Sequence, residues 1–153
     1  LANLDYVDSL TKNLYSALHN SKFIEEISDI VGIPNLQPDP TLYAGGLTMM
    51  NENDYLNPHI DNSHDAQRTR YRRLNILFYI TPDWSVDNGG NLELWDSKVK
   101  NKIKTIPPLF NRCVIWDAKL IHAAPTYFGW DIDSARATQV FFFDTEGNET
   151  DIY

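Results

Sequence analysis

Apolar residues recur at steps of three and four over the first 33 residues, which is the spacing of one face of a helix. The first stretch consists of Leu4, Val7, Leu10, Leu14 and Leu18, and the second of Phe23, Ile24, Ile27, Ile30 and Val31. The period breaks near Asn20 and ends at the Gly32-Ile33-Pro34 sequence. The pattern therefore predicts two amphipathic helices at the front of the chain.

Beyond these helices the period changes to two, and the runs become rich in β-branched and aromatic residues. The clearest run is Arg73 to Ile80, in which Leu74, Ile76 and Phe78 alternate with Asn75, Leu77 and Tyr79. Shorter strand-like runs follow at 91–95, 112–117, 121–124 and 138–144, with an exposed lysine-bearing hairpin at 98–104. Many short strands behind two helices predict a mainly β fold, an antiparallel barrel or double-sheet jelly roll in a single domain, 1–153.

Composition and charge indicate which classes of partner the chain can bind. The chain has 153 residues, and its 13 basic against 21 acidic residues give a formal charge of −8. This balance argues against nucleic acid or an anionic membrane as the main partner and favours a small molecule or a peptide. No apolar run is long enough to span a membrane, and the first residues lack the apolar stretch of a signal peptide.

Cysteine usage and one basic cluster complete this picture. A lone cysteine, Cys113, cannot form an internal disulfide, which suits a reducing compartment and predicts a cytoplasmic protein. Its apolar neighbours predict a buried thiol. Four arginines, Arg68, Arg70, Arg72 and Arg73, are predicted to form a solvated face that pairs with acidic neighbours, and the alternative is an anion-binding strip near a site.

Two histidines and one aspartate form a candidate metal site. His59 and Asp61 stand two positions apart, so that both side chains project to one face of an extended segment. His122, in an apolar strand-like run, is the best-placed histidine for a third ligand, whereas His64 belongs to a polar loop. Two histidines and one carboxylate leave three positions of an iron open, as non-haem Fe(II) oxygenases require.

Residues downstream of His122 add a carboxylate-binding group. Arg136 opens the last strand, and its planar guanidinium could hold a dicarboxylate through two parallel hydrogen bonds. Thr138 shares its face and could add a hydroxyl donor. Tyr79 could complete this pocket, and Asn75 on the same face is a further candidate.

Taken in order along the chain, these residues resemble a known family. The series consists of His59-x-Asp61, the runs Arg73 to Trp84, Asp87 to Trp95 and Asn111 to Trp116, then His122 and Arg136-x-Thr138. It is similar to the 2-oxoglutarate and Fe(II)-dependent oxygenases of the prolyl 4-hydroxylase-like group, over about residues 43–145. One departure is the spacing of 14 positions between His122 and Arg136, longer than is usual in the family, which we attribute to extra loop residues at 127–133.

The resemblance implies a double-stranded β-helix, or cupin-like jelly roll, at 43–145, with residues 1–33 as a helical buttress. It implies His59, Asp61 and His122 as iron ligands and Arg136 as the anchor of the far carboxylate of 2-oxoglutarate, with Tyr79 beside it. The implied activity is a dioxygenase that hydroxylates a C–H bond and releases succinate and CO2. Its cofactors are Fe(II), 2-oxoglutarate and O2, and ascorbate is a further candidate. Trp130, in the extra loop, is a candidate substrate-contacting lid.

Three alternatives stay open at this point. A cupin-type metal enzyme would keep the ligand triad but would have no need of Arg136. A catalytically silent jelly-roll module would need neither the ligand triad nor Arg136. An interaction domain could bind peptides through its tyrosine and tryptophan side chains. Iron stoichiometry and dependence on 2-oxoglutarate discriminate among them.

Overall fold

Two short helices open the part of the chain that the computed structural model describes, which is residues 8–126 and 136–146. Helix α1 (Ser9–Leu18) begins where the side chain of Asp8 accepts hydrogen bonds from the first free backbone N–H groups. Helix α2 (Ser21–Val31) begins after a similar cap by Asn20 and ends at Gly32, whose φ of 69° is left-handed. The predicted break and end of the helices are confirmed, while Leu4 and Val7 lie outside the described residues.

In the described residues nine strands follow and form two antiparallel sheets. They are β1 (Gln37–Pro38), β2 (Gly46–Met50), β3 (Leu56–His59), β4 (Arg70–Tyr79), β5 (Leu92–Trp95), β6 (Lys102–Ile106), β7 (Cys113–Asp117), β8 (Ile121–Ala124) and β9 (Arg136–Glu146). The major sheet has the order β1-β9-β4-β7, with β2 also paired to β9. The minor sheet has the order β3-β8-β5-β6. The predicted mainly β architecture with N-terminal helices is confirmed.

The predicted strand Arg73 to Ile80 corresponds to β4, which begins three residues earlier. It does so because Arg70 and Tyr71 still pair with the end of β9, and a register shift separates Arg72 from Leu74. The predicted hairpin at 98–104 corresponds to the turn between β5 and β6 together with the first half of β6.

The two faces of β4 bury two different sets of apolar side chains, as its alternation predicts. Leu74 and Ile76 belong to a cluster with Leu18, Ile27 and Phe143, so this face of the major sheet packs against the helices. Leu77 and Tyr79 belong to a second cluster with Leu92 and Trp116, which lies toward the minor sheet. The second cluster borders the site described below.

Two predictions about single residues are wrong. Cys113 is exposed, because it is the first residue of β7, a strand at the edge of the major sheet in the described order. Arg72 is not solvated: it is only 2% exposed and lies 3.6 Å from Asp39, measured from Nη2 to Oδ2. Arg72 also donates to the backbone carbonyl oxygen of Tyr43, and Asp144, fully buried, is its register partner on β9. Asp39, Arg72 and Asp144 are called the buried charge cluster below.

Within residues 8–126 and 136–146, neither helix has the length and apolar character needed to cross a membrane.

Candidate functional site

His59, Asp61 and His122 come together between neighbouring strands of the minor sheet. His59 ends β3 and is the direct register partner of His122 on β8, with the two ring centroids 4.4 Å apart. Asp61 follows two residues after His59 and places its two carboxylate oxygens beside the two rings. Oδ1 lies 3.5 Å from Nε2 of His59, and Oδ2 lies 3.4 Å from Nε2 of His122. One donor atom from each residue lies within 4.8 Å of the others, as a metal site requires.

The backbone fixes which nitrogen of each imidazole faces the carboxylate. Nδ1 of His59 lies 2.6 Å from the carbonyl oxygen of Asn57, and Nδ1 of His122 lies 3.1 Å from that of Leu120. A carbonyl oxygen only accepts, so each Nδ1 carries the proton and donates. The Nε2 atoms, free of that proton in the neutral ring, then direct their lone pairs at Asp61. Lone pairs facing a carboxylate repel it unless a proton or a cation lies between them.

Asp61 and the histidines also shift the pKa values within the cluster when a proton lies between them. Burial by itself would raise the pKa of Asp61, but the contacts with His122 and His59 outweigh it and hold that pKa far below its usual range. The contact with Asp61 raises the pKa of His59, although partial burial acts against it. Asp61 is therefore an anion at any working pH, and it attracts positive charge into this position.

Two residues of the major sheet support the triad. Asn75 on β4 is 0% exposed, and its Nδ2 donates to Oδ2 of Asp61 at 2.8 Å. Trp116 on β7 packs edge-on against the ring of His122, with 5.3 Å between centroids. Asn75 was expected from the sequence to serve a cosubstrate pocket, and the structure places its amide on the carboxylate of the triad.

A cavity of about 190 Å³ adjoins the triad. The triad residues line it together with Ala44, Thr48, Met50, Leu56, Leu77, Leu92, Trp116, Ala123, Ala124 and Thr138. Thr138 is buried, and its hydroxyl lies 2.6 Å from that of Thr48 across the β2–β9 pair. Tyr79 is buried directly opposite Thr138 in register. The walls are thus mostly apolar, with the polar groups gathered at the triad and at the threonine pair.

Two residues that the sequence predicts for the site, Arg136 and Trp130, lie partly or wholly outside the described part of the chain. The backbone of Arg136 opens β9 opposite Met50, but its side chain lies outside the described part of the chain. Trp130 and the loop at 127–133 lie outside it altogether. The ring of His64 contacts that of Tyr71 at a tilt, with centroids 5.0 Å apart, and takes no part in the triad.

Sequence reasoning did not single out Thr48, Leu56 or Trp116 as site residues. Thr48 and Leu56 lie in short strands, in which apolar and polar residues do not alternate clearly enough to predict a strand. For Trp116 the sequence did carry a signal. It lies two positions after Val114 on β7, so both side chains share one face of the strand. A tryptophan in a strand, however, is equally typical of the core.

Several solved structures have a similar fold. A 2OG-Fe(II) oxygenase family oxidoreductase from Burkholderia pseudomallei aligns with a TM-score of 0.61 at 11% identity, covering 89% of this chain and 59% of that one. A prolyl 4-hydroxylase from Phytophthora capsici aligns at 0.60 and 16% identity, covering 95% and 52%. A Trichoplax adhaerens prolyl hydroxylase in complex with a hypoxia inducible factor peptide fragment aligns at 0.52 and 20%, covering 80% and 55%.

Sequence comparison leads to the same family. An uncharacterised PKHD-type hydroxylase of Synechocystis sp. is 24% identical over 115 residues, covering 70% of this chain. This chain spans 37% of that relative's length and little more than half of the length of the similar structures. The model of the 2OG-Fe(II) oxygenase superfamily matches residues 45–144, which include the whole triad and Arg136. The chain belongs to the 2OG-Fe(II) oxygenase superfamily.

Proposed function

We propose that this chain is a 2-oxoglutarate-dependent dioxygenase that hydroxylates a C–H bond of its substrate and releases succinate and CO2. Membership of the superfamily implies Fe(II), 2-oxoglutarate and O2. The observation that carries the proposal is the convergence of two Nε2 atoms and one carboxylate within 4.8 Å on the wall of an apolar cavity.

The residues present fit an Fe(II) ion. Two neutral imidazoles and one carboxylate form the donor set typical of non-haem Fe(II) oxygenases, in which three coordination positions remain open. The hydrogen bonds from Nδ1 to the carbonyl oxygens of Asn57 and Leu120 hold the rings in the tautomer that a metal ligand needs. His59, Asp61 and His122 are therefore the ligands we propose.

Arg136, Tyr79 and Thr138 are proposed to hold the far carboxylate of 2-oxoglutarate. The support comes from register: Thr138 lines the cavity and lies opposite Tyr79, and Arg136 precedes it by two positions on β9. Residues two apart in a strand share a face, so the register supports the proposal that Arg136 belongs to the same pocket as Thr138. A guanidinium there offers paired donors that match a carboxylate.

When bound, the iron and its cosubstrate supply the oxidising power that converts a C–H group to an alcohol. The chain itself binds and orients the cosubstrate and the substrate, and it excludes water from the site. Leu77, Leu92 and Trp116 give the cavity an apolar wall, which limits access of water beside the triad. We also propose the double-stranded β-helix at 43–145 as the scaffold and residues 1–33 as its helical buttress, in one domain.

A residue within an extended peptide, prolyl or otherwise, is our proposed substrate, with a small metabolite as the alternative. The cavity is flanked by two open clefts of about 280 and 470 Å³, and Leu56 lines all three spaces. Tyr55 and Leu56, 61% and 51% exposed, form an apolar rim between the clefts. A cavity for one side chain between two grooves suits a chain that passes across the site. The peptide bound to the Trichoplax structure is consistent with this geometry.

Succinate release tests the chemistry. Purified protein is incubated in air with Fe(II), ascorbate and 2-oxoglutarate, and succinate is quantified. We expect iron-dependent succinate from the unaltered protein and from His64→Ala, which removes a histidine outside the triad. The variants His59→Ala and His122→Ala should form none.

Substrate-free turnover can be slow, so a second measurement accompanies the first. Anaerobic addition of Fe(II) and 2-oxoglutarate should produce a visible charge-transfer absorption in the unaltered protein and in His64→Ala alone. Absence of both signals would refute the proposal and favour a silent module. Stoichiometric iron binding without any effect of 2-oxoglutarate would favour a cupin-type reaction.

The substrate class is tested by adding peptide pools and metabolite pools to the same assay. Stimulated succinate release together with a mass gain of one oxygen in a peptide would support the peptide proposal. Stimulation by metabolites alone would refute it and leave the oxygenase chemistry in place.

A further inference from the structure

Asn75 lies in the interior between the two sheets and touches the triad directly. Its side chain is fully buried, and its Nδ2 donates to Oδ2 of Asp61 at 2.8 Å. The contact joins the middle of β4, which pairs with β7 and β9, to a residue that follows the end of β3. This hydrogen bond ties the carboxylate of Asp61 to the major sheet.

The chemistry of the two partners fixes the orientation of the amide. An ionised carboxylate only accepts hydrogen bonds, so the group facing it must be the NH2 of Asn75. The amide oxygen then points away from Asp61. Among the described residues this oxygen is buried and has no hydrogen-bond partner. A buried, unpaired carbonyl destabilises the fold, and an apolar side chain of equal size would avoid that cost.

A residue that is unfavourable for folding but bonded to a proposed ligand suggests a role in the site. We propose that Asn75 is a positioning residue that holds Asp61 as a one-oxygen ligand of the metal. This inference rests on the proposed function. The triad leaves three positions open only if the carboxylate binds through one oxygen, because a second oxygen would occupy a fourth position.

Asn75 favours the one-oxygen arrangement in two ways. Its N–H bond occupies a lone pair of Oδ2, which makes that oxygen a weaker second ligand. The bond also restrains rotation of the carboxylate about the bond to its β-carbon, because β4 is held on both sides by β7 and β9. Hydrogen bonds of this kind, from a neighbouring residue to a metal ligand, commonly govern affinity and geometry.

The test uses Asn75→Leu, which removes the donor and the unpaired oxygen while nearly preserving volume. Ile76→Val is the matched control, since Ile76 is equally buried on the opposite face of the same strand. Co(II), an air-stable probe with a coordination-sensitive absorption spectrum, is titrated into each metal-free protein. Urea unfolding of the same metal-free samples reports stability.

We expect Asn75→Leu to bind Co(II) about 10- to 100-fold more weakly, with an altered visible spectrum, while its metal-free stability stays equal or increases. Ile76→Val should lose some stability and keep both the affinity and the spectrum. If Asn75→Leu does not fold, Asn75→Val carries the same test, because a β-branched side chain suits a strand.

The outcomes separate this inference from the proposed function. Co(II) bound by the unaltered protein and equally well by the Asn75 variants would overturn the role of Asn75 alone. Parallel loss of stability and affinity, with an unchanged spectrum, would show a structural role and overturn it as well. Failure of the unaltered protein to bind Co(II) would refute the metal site itself.

Discussion

The buried charge cluster makes the stability of this protein depend on pH in a direction unusual for an aspartate. Asp144 is 0% exposed, and neither of its carboxylate oxygens has a hydrogen-bond partner among the described residues. Burial and the charge of Asp39 raise its pKa, Arg72 offsets only part of the effect, and the net value in the folded protein is about 6. We therefore predict that Asp144→Asn changes how stability varies with pH.

The magnitude follows from the difference between the folded and unfolded pKa values. The ordinary value is 3.8 and the folded value is about 6. Well below pH 3.8 the carboxyl is protonated in both states and costs nothing. Between about pH 4 and 6 the unfolded carboxyl ionises while the folded one stays protonated, so stability falls. Above about pH 6 the carboxyl is ionised in both states and the penalty stays constant. At neutral pH the accumulated penalty is about 3 kcal/mol, from roughly 1.4 kcal/mol per pKa unit.

The assay is urea unfolding of metal-free protein and of Asp144→Asn at several values between about pH 4.5 and 7.5. Asn carries no charge, so the stability of the variant relative to the unaltered protein should rise with pH, approaching the 3 kcal/mol scale. Any cost of burying the amide is independent of pH and cancels in this comparison. Asp96→Asn is the control whose relative stability should stay nearly constant over this pH window, because backbone hydrogen bonds from Lys100 and its neighbours lower the pKa of Asp96 and its carboxyl is ionised in both states above about pH 5. A relative stability of Asp144→Asn that does not change with pH would refute the reasoning.

Three further predictions concern other parts of the molecule. Arg136→Gln should raise the 2-oxoglutarate concentration for half-maximal succinate release by about 10²-fold, because it removes a paired charged contact, and an unchanged value would remove Arg136 from the anchor. Thr48→Val should lower the free energy of unfolding by about 1 kcal/mol in urea titrations, since it breaks the 2.6 Å contact with Thr138, and equal stability would show that this contact contributes nothing. Asn20→Ala removes the cap of α2 and should cost about 1 kcal/mol of unfolding free energy, with helix content followed by circular dichroism. An unchanged midpoint of urea unfolding would mean that packing alone defines the start of that helix.

Much of the fold could be predicted because its determinants are local. The helix spacing and the capping residue Asn20 lie within a few positions of the elements that they define. The alternation in β4 indicated both of its buried faces, since residues such as Ile76 and Leu77 fill opposite sides of one strand. What escaped prediction depends on pairing between strands. The register shift between Arg72 and Leu74 interrupts the alternation, and the burial of Arg72 requires Asp39 from a distant loop.

The candidate site divides in the same way. The i, i+2 spacing of His59 and Asp61 is visible in three consecutive letters, and the contact between them is present in the structure. His122 was chosen as an isolated histidine in an apolar run, and its position follows from the pairing of β3 with β8. The bond from Asn75 to Asp61 had no local signal, because it depends on the distance between the two sheets.

The register pairing of His59 with His122 has a consequence for the order of events during synthesis and folding. The two residues are separated by 63 positions, so a chain still emerging from the ribosome holds two of the three proposed ligands, His59 and Asp61, until β8 has been made. Closing a loop of that length is entropically costly, and an ion held by both ends would act as a cross-link that offsets part of this cost. Metal supply during expression should therefore raise the yield of folded protein, and removal of the metal by a chelator should loosen the β3–β8 pairing first.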